Sequence, residues 1–182
     1  CFHNYEQLDM NNNFYPFGTR PTLSDSLVDE LFYIRCDQAF IEKDTRVEIE
    51  FMHSMSAAYI MPKSYDNLQM IWEYSLENGK WNQLDVKDNS FGFTQHGTVS
   101  FNVPKDFFKL IINAEEGYWI RAKIVSGNYG EEESSVYDAK SGELQITKAT
   151  LNPPVFFSMN IKYSQPRYDV DECYVFNNYK YE

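Results

Sequence analysis

LQMIWEYSLENGKW, residues 68–81, is the stretch whose reading decides the fold. Leu68, Met70, Trp72, Tyr74 and Leu76 take every second position, while Gln69, Glu73 and Ser75 mostly fill the alternate ones. Side chains on a strand point to opposite faces in turn, so this rhythm buries one flank and wets the other. Glu77-Asn78-Gly79 supplies residues that accept the positive φ of a tight hairpin. The chain then returns through Trp81, Leu84 and Val86. The result is a β-hairpin carrying two tryptophans.

The same period recurs on both sides of it. Leu31 to Cys36 sets Phe32, Ile34 and Cys36 on one face, and a turn follows at Lys43-Asp44. Arg46 to Phe51 points Val47, Ile49 and Phe51 inward, with Arg46, Glu48 and Glu50 outward. Phe91 and Phe93 read as another strand before a turn at Gln95-His96-Gly97. Thr98 to Val103 alternates cleanly, with Val99, Phe101 and Val103 inside. Gly117 opens YWIRAKIV, where Tyr118, Ile120, Ala122 and Ile124 share one face and Trp119, Arg121 and Lys123 the other. Leu144 to Ile146 is a modest strand. Val155 to Tyr163 is a long one, burying Val155, Phe157, Met159, Ile161 and Tyr163, and Cys173 to Phe176 is the last.

Helix signals are few. Thr22-Leu23-Ser24-Asp25 caps a short helical turn up to Glu30, and Pro104-Lys105-Asp106 begins a single turn through Leu110. Residues 52–67 read as a loop crossing between sheets, and residues 126–143, rich in Gly, Ser and Glu, as a long exposed loop. Roughly eight to ten short strands at this spacing define an all-β fold. The expectation is an antiparallel β-sandwich of jelly-roll or Greek-key type with little helix. A chain of 182 residues is long enough for one core, and no linker composition interrupts it, so residues 1–182 read as one domain.

Formal net charge is −11, with Lys and Arg scattered rather than clustered. Such a surface repels phosphate backbones and anionic membranes, which argues against nucleic-acid binding. No apolar run is long enough to span a bilayer. The chain starts at Cys1 without an initiator Met, which reads as a removed leader or a domain excised from a longer polypeptide. Cys1, Cys36 and Cys173 are too few and too dispersed for a disulfide framework or zinc site. Cys36 and Cys173 read as buried thiols, which favours folding in the cytoplasm over secretion.

His3, His53 and His96 fall in no metal or nucleophile spacing, and His96 reads as a solvated turn residue. The sequence assembles no catalytic set and implies no cofactor, so the expectation is a protein that is not an enzyme. Asp169, Asp171 and Glu172 are a weak Ca²⁺ candidate, because hard cations want clustered oxygens, but the run lacks the glycine and spacing of a calcium loop. Together with Glu131, Glu132 and Glu133 it reads more simply as solvated acidic loop. Trp72, Trp81 and Trp119 offer a sugar platform only if their faces are open, and Trp72 is in phase with its buried row. Trp119 shares its face with Arg121 and Lys123. It therefore reads as a half-exposed aromatic beside cations, and the three residues, with Tyr129 nearby, form the candidate partner-contact set.

Four stretches carry a resemblance: FYPFG with LFYI (residues 14–18 and 31–34), IWEYSLENGKWNQLDVKD with GTVSFNVP (71–88 and 97–104), GYWIRAKIVSGNYG (117–130), and FNNYKY (176–181). In this order and spacing the chain resembles a recurrent domain of baseplate proteins from contractile phage tails and related phage tail-like injection particles. It departs from that pattern at the polar Ser75 and in the acidic loop after Gly130. The resemblance implies a non-catalytic structural or scaffold module that contacts other subunits of a larger assembly through loops and strand edges. It supplies no catalytic residue. The competing reading is a carbohydrate-binding β-sandwich module, with glycan as the partner. A hydrolase on the same scaffold ranks last.

Overall fold

Trp72 and Tyr74 point into a core shared by two stacked sheets, as the two-residue rhythm around them requires. The computed structural model describes residues 1–18, 27–57, 59–130, 134–138, 142–147, 152–164, 176–177 and 180–181. In chain order the strands are β1 (Phe2–His3), β2 (Glu6–Gln7), β3 (Leu31–Arg35), β4 (Arg46–His53), β5 (Tyr65–Ser75), β6 (Trp81–Gln83), β7 (Lys87–Asp88) and β8 (Gly97–Asn102). They continue as β9 (Lys109–Ile112), β10 (Glu115–Asn128), β11 (Ser134–Asp138), β12 (Glu143–Thr147), β13 (Phe156–Tyr163), β14 (Phe176–Asn177) and β15 (Lys180–Tyr181). A one-turn helix, α1 (Asp37–Phe40), follows β3.

Strands β2-β1-β3-β10-β5-β6 form the larger sheet, with β9 added to the start of β10. The smaller sheet is β13-β4-β8-β7. β11 and β12 make a separate two-stranded ribbon, as do β14 and β15. Pairing is antiparallel throughout both sheets. The protein is an all-β antiparallel sandwich. Phe32, Ile34, Trp72, Ile120 and Ile124 fill the core from the larger sheet, and Val47, Ile49, Phe51, Val99 and Phe101 from the smaller. Phe51 bridges the layers, with its ring centroid 6.2 Å from Trp72 and 6.5 Å from Phe32.

The hairpin forms where the sequence places it. Asn78 (φ 63°) and Gly79 (φ 76°) carry the left-handed turn, and Leu76 N–H donates to Lys80 O at 2.8 Å. One position departs from the expected wet flank: Ser75 is fully buried. Its hydroxyl donates to Phe108 O at 2.6 Å and accepts Trp119 N–H at 3.3 Å. A small polar residue tolerates burial when both its donor and its acceptor are used.

Elsewhere the structure corrects the reading. Phe91 to Phe93 is a turn rather than a strand, with three successive positive φ values of 51°, 63° and 63°. Asp88 holds it: Oδ1 accepts Ser90 N–H at 2.7 Å and Oδ2 accepts Gly92 N–H at 3.2 Å. The turn drives Phe93 into the core, 4.8 Å from Phe51 and 4.9 Å from Phe156. Pro104 to Leu110 is not a helical turn. A bend at Lys105-Asp106 plugs Phe107 against Phe40, and the chain then enters β9.

Residues 126–143 are not one loop either, since they hold the end of β10 and all of β11. Phe157 is exposed, because a register shift between Phe156 and Ser158 turns Phe156 inward instead, and Tyr163 is likewise exposed at the strand's end. Cys36 is half-buried before α1 rather than enclosed. The Thr22–Asp25 cap, the Glu131–Glu133 run and residues 173–175 of the last expected strand lie outside the described residues, while its end, Phe176, stands in β14.

Candidate interaction surfaces

Alternation along β10 sends Trp119, Arg121 and Lys123 to the outer face of the larger sheet, as expected, and antiparallel register sets their neighbours. Trp119 lies beside Arg35, Arg121 between Tyr33 and Glu73, and Lys123 between Leu31 and Ile71. This face is not an open surface. Phe2, Tyr33 and Trp119 form a second apolar cluster, against which Leu31, Trp81, Leu110 and Ile112 pack.

Trp119 is 0% exposed, which corrects the half-exposed reading. Its Nε1–H donates to Leu110 O at 3.0 Å, and the Arg35 guanidinium sits 5.6 Å from its ring centroid. Periodicity gives the face of a residue and not what covers that face. The signal for the cover was the apolar pair Leu110 and Ile112, two positions apart just upstream.

Arg121 is also enclosed. Its Nε–H donates to Glu73 Oε2 at 2.7 Å, with both side chains less than a fifth exposed. Its guanidinium lies 4.0 Å from the Trp81 centroid and 6.0 Å from that of Tyr33, so two aromatic faces roof a desolvated ion pair. Lys123 reaches Asp29 at 2.7 Å from a more open position. Tyr129 is buried in the main core, donating its hydroxyl to Gly92 O at 2.7 Å and stacking on Phe17. Burial pushes its phenol well above the ordinary range. The structure therefore brings Trp119 and Arg121 together, leaves Lys123 at their edge, and sends Tyr129 into the main core. With Trp72 and Trp119 buried and Trp81 faced by Arg121, the tryptophans form no open platform for a sugar ring.

An exposed apolar surface lies on the β11–β12 ribbon, part of which reads in the sequence as a loop and part as a modest strand. Tyr137 pairs with Leu144, and Ser135 with Ile146, so Tyr137, Leu144 and Ile146 share one face. Val136 opposes Gln145 on the other. All four apolar side chains are 59–65% exposed. Neither face of the ribbon is covered by another described strand. The overlooked signal is the apolar pair Val136-Tyr137 inside an otherwise polar stretch.

The histidines take structural places. His53 is buried at the end of β4, where its Nε2 lies 2.9 Å from Phe93 O and must carry the proton. His53 N–H donates to His96 Nδ1 at 3.0 Å, tying the Phe91–Phe93 turn to β4. Burial, with His96 adding to it, lowers the His53 pKa. Among the described residues no three His, Cys, Asp or Glu side chains converge as metal ligands, and no helix is long and apolar enough to cross a membrane. Asp169, Asp171 and Glu172 lie outside the described residues. No protein-family model matches the chain, and no curated protein matches it.

Proposed function

We propose that this protein is a non-catalytic structural module that works by protein–protein contact within a larger assembly, of the phage tail-like baseplate kind its sequence resembles. The observation that carries the reading is the β11–β12 ribbon. Two-stranded ribbons are marginal in water on their own. This one holds Val136, Tyr137, Leu144 and Ile146 in solvent, on both faces. Burying such side chains stabilises by about 1.5–3 kcal/mol each, a gain available only when a second surface closes over them. Exposed aromatic and aliphatic residues grouped on one element are what interface centres are made of.

The test is a Tyr137→Ser/Leu144→Ser/Ile146→Ser variant made in cells that build the native assembly. The purified chain is expected to keep its melting temperature, since the three side chains touch no core. Its incorporation into the assembly, measured by quantitative mass spectrometry, is expected to fall away. Full incorporation of the triple variant would remove this reading.

A further inference from the structure

Strand β5 is 11 residues long, yet β6 pairs only with Glu73, Tyr74 and Ser75. One more rung follows, Leu84 N–H donating to Trp72 O at 2.8 Å. The chain then peels away through Asp85 and Val86 to enter β7 in the other sheet. Towards its start, β5 keeps β10 on one side and has no strand on the other among the described residues. Main-chain groups alternate sides along a strand. Tyr74 and Trp72 turn theirs towards β6, so Met70, two residues further back, turns its N–H and C=O into the opening. A cleft of about 390 Å³ lies there, lined by Met70, Ile71, Trp72, Leu84, Val86 and the two carboxylates of Asp85 and Asp88, among others.

Three features of this opening point the same way. Its floor is a strand edge whose main-chain hydrogen-bonding groups meet no partner among the described residues, which is a template for another strand. Its lining holds two carboxylates and no cation, so it favours a basic occupant. It also includes Trp72, whose buried Nε1–H meets no acceptor among the described residues. Net charge of −11 opposes a second copy of this chain as that occupant. We propose that the open flank of β5 beside Met70 and Trp72 is a strand-acceptor site for an extended, basic segment of a partner protein. The segment hydrogen-bonds to Met70 through its main chain, sets alternate apolar side chains against Leu84 and Val86, and places a Lys or Arg beside Asp85. This site stands apart from the ribbon and does not rest on it.

The probe is a short synthetic peptide alternating valine and lysine, compared with the same peptide N-methylated at every residue, which has no N–H left on either edge to form a ladder. The unmethylated peptide is expected to bind in calorimetry, to slow hydrogen exchange of the Met70 amide by roughly tenfold, and to weaken with added salt. The methylated peptide is expected to be silent. Met70→Pro removes an N–H that no described strand uses, on a flank where proline is tolerated, so it should leave the fold intact and abolish binding. Asp85→Lys, at an exposed position, should weaken binding with the fold unchanged. The ribbon triple variant should bind the peptide as the parent does. Equal binding of the methylated peptide, protection at the ribbon instead of β5, no binding at all, or self-association through β5 without peptide would each overturn the proposal.

Discussion

Replacing Trp119 by alanine separates a covered outer face from an open one. If the ring lay half in solvent, truncation would leave stability nearly unchanged. The structure dictates otherwise, because Trp119 is 0% exposed, with Phe2 at 5.6 Å and Tyr33 edge-on at 6.4 Å. Losing a buried ring of this size costs about 3–5 kcal/mol. That is a large share of the roughly 5–15 kcal/mol that holds an ordinary domain together. In a chain of this size it lowers the melting temperature by roughly 6–20 °C.

Trp119→Phe divides the loss. It keeps an aromatic ring under Arg35 but deprives Leu110 O of its donor, which costs about 1–2 kcal/mol. Denaturant unfolding followed by far-ultraviolet circular dichroism measures both, and avoids a tryptophan signal that the substitutions themselves change. Alanine within about 1 kcal/mol of the parent at an unchanged denaturant slope would refute the covered face. Phenylalanine as damaging as alanine would show that the hydrogen bond, not packing, carries the contribution.

The neutral, buried His53 makes stability depend on pH. Its folded pKa lies below the ordinary 6.5, so the unfolded chain binds the proton more readily, and stability is full above that value and falls as pH drops below it. Thermal melts between pH 7.5 and about 5.5 should show a decline of up to about 1.4 kcal/mol per pH unit, flattened in His53→Gln. A melting temperature constant over that window would contradict the burial argument. Gly97→Ala should destabilise by about 1–3 kcal/mol, because its Cβ would stand 2.6 Å from Asn89 O and 2.7 Å from Ser90 Cα, main-chain atoms that cannot swing aside. Gly142→Ala meets nothing within 4 Å and should cost only the strain of φ +73°, about 1 kcal/mol. Equal losses in calorimetry would defeat the steric reasoning.

Strand existence and strand phase were legible in the sequence wherever apolar residues alternate without interruption. Val47, Ile49 and Phe51, Val99, Phe101 and Val103, and Trp72 with Tyr74 all lie in the core as their spacing requires. Phase failed where one residue was inserted. The register shift between Phe156 and Ser158 puts Phe157 outside, and no local propensity marks it. Type failed at Phe91 to Phe93, where Asp88 and Ser90 hydrogen bonds stabilise backbone conformations that aromatic residues seldom adopt. The candidate site was half legible. Alternation placed Trp119 with Arg121 on one face, but their covers, Trp81 and Leu110, arrive from β6 and β9 through pairings that a single strand does not encode.

That cover decides where contacts are left to be made. A sheet face with its own aromatic layer and an enclosed Arg121–Glu73 pair has little left to offer a partner, because opening it exposes a charge pair already satisfied. The two proposed contact places lie where strand pairing stops: the ribbon beyond β10, whose apolar faces no described strand covers, and the flank of β5 that β6 abandons. Both arise from unequal strand lengths. The end of β10 runs past β3 and pairs with the start of β5, and that start of β5 runs past β6, which leaves its other flank without a described strand. The proposed assembly role therefore rests on those two borders and not on the covered outer face. Shortening β11–β12 to a tight turn should leave the core unaltered and remove only association.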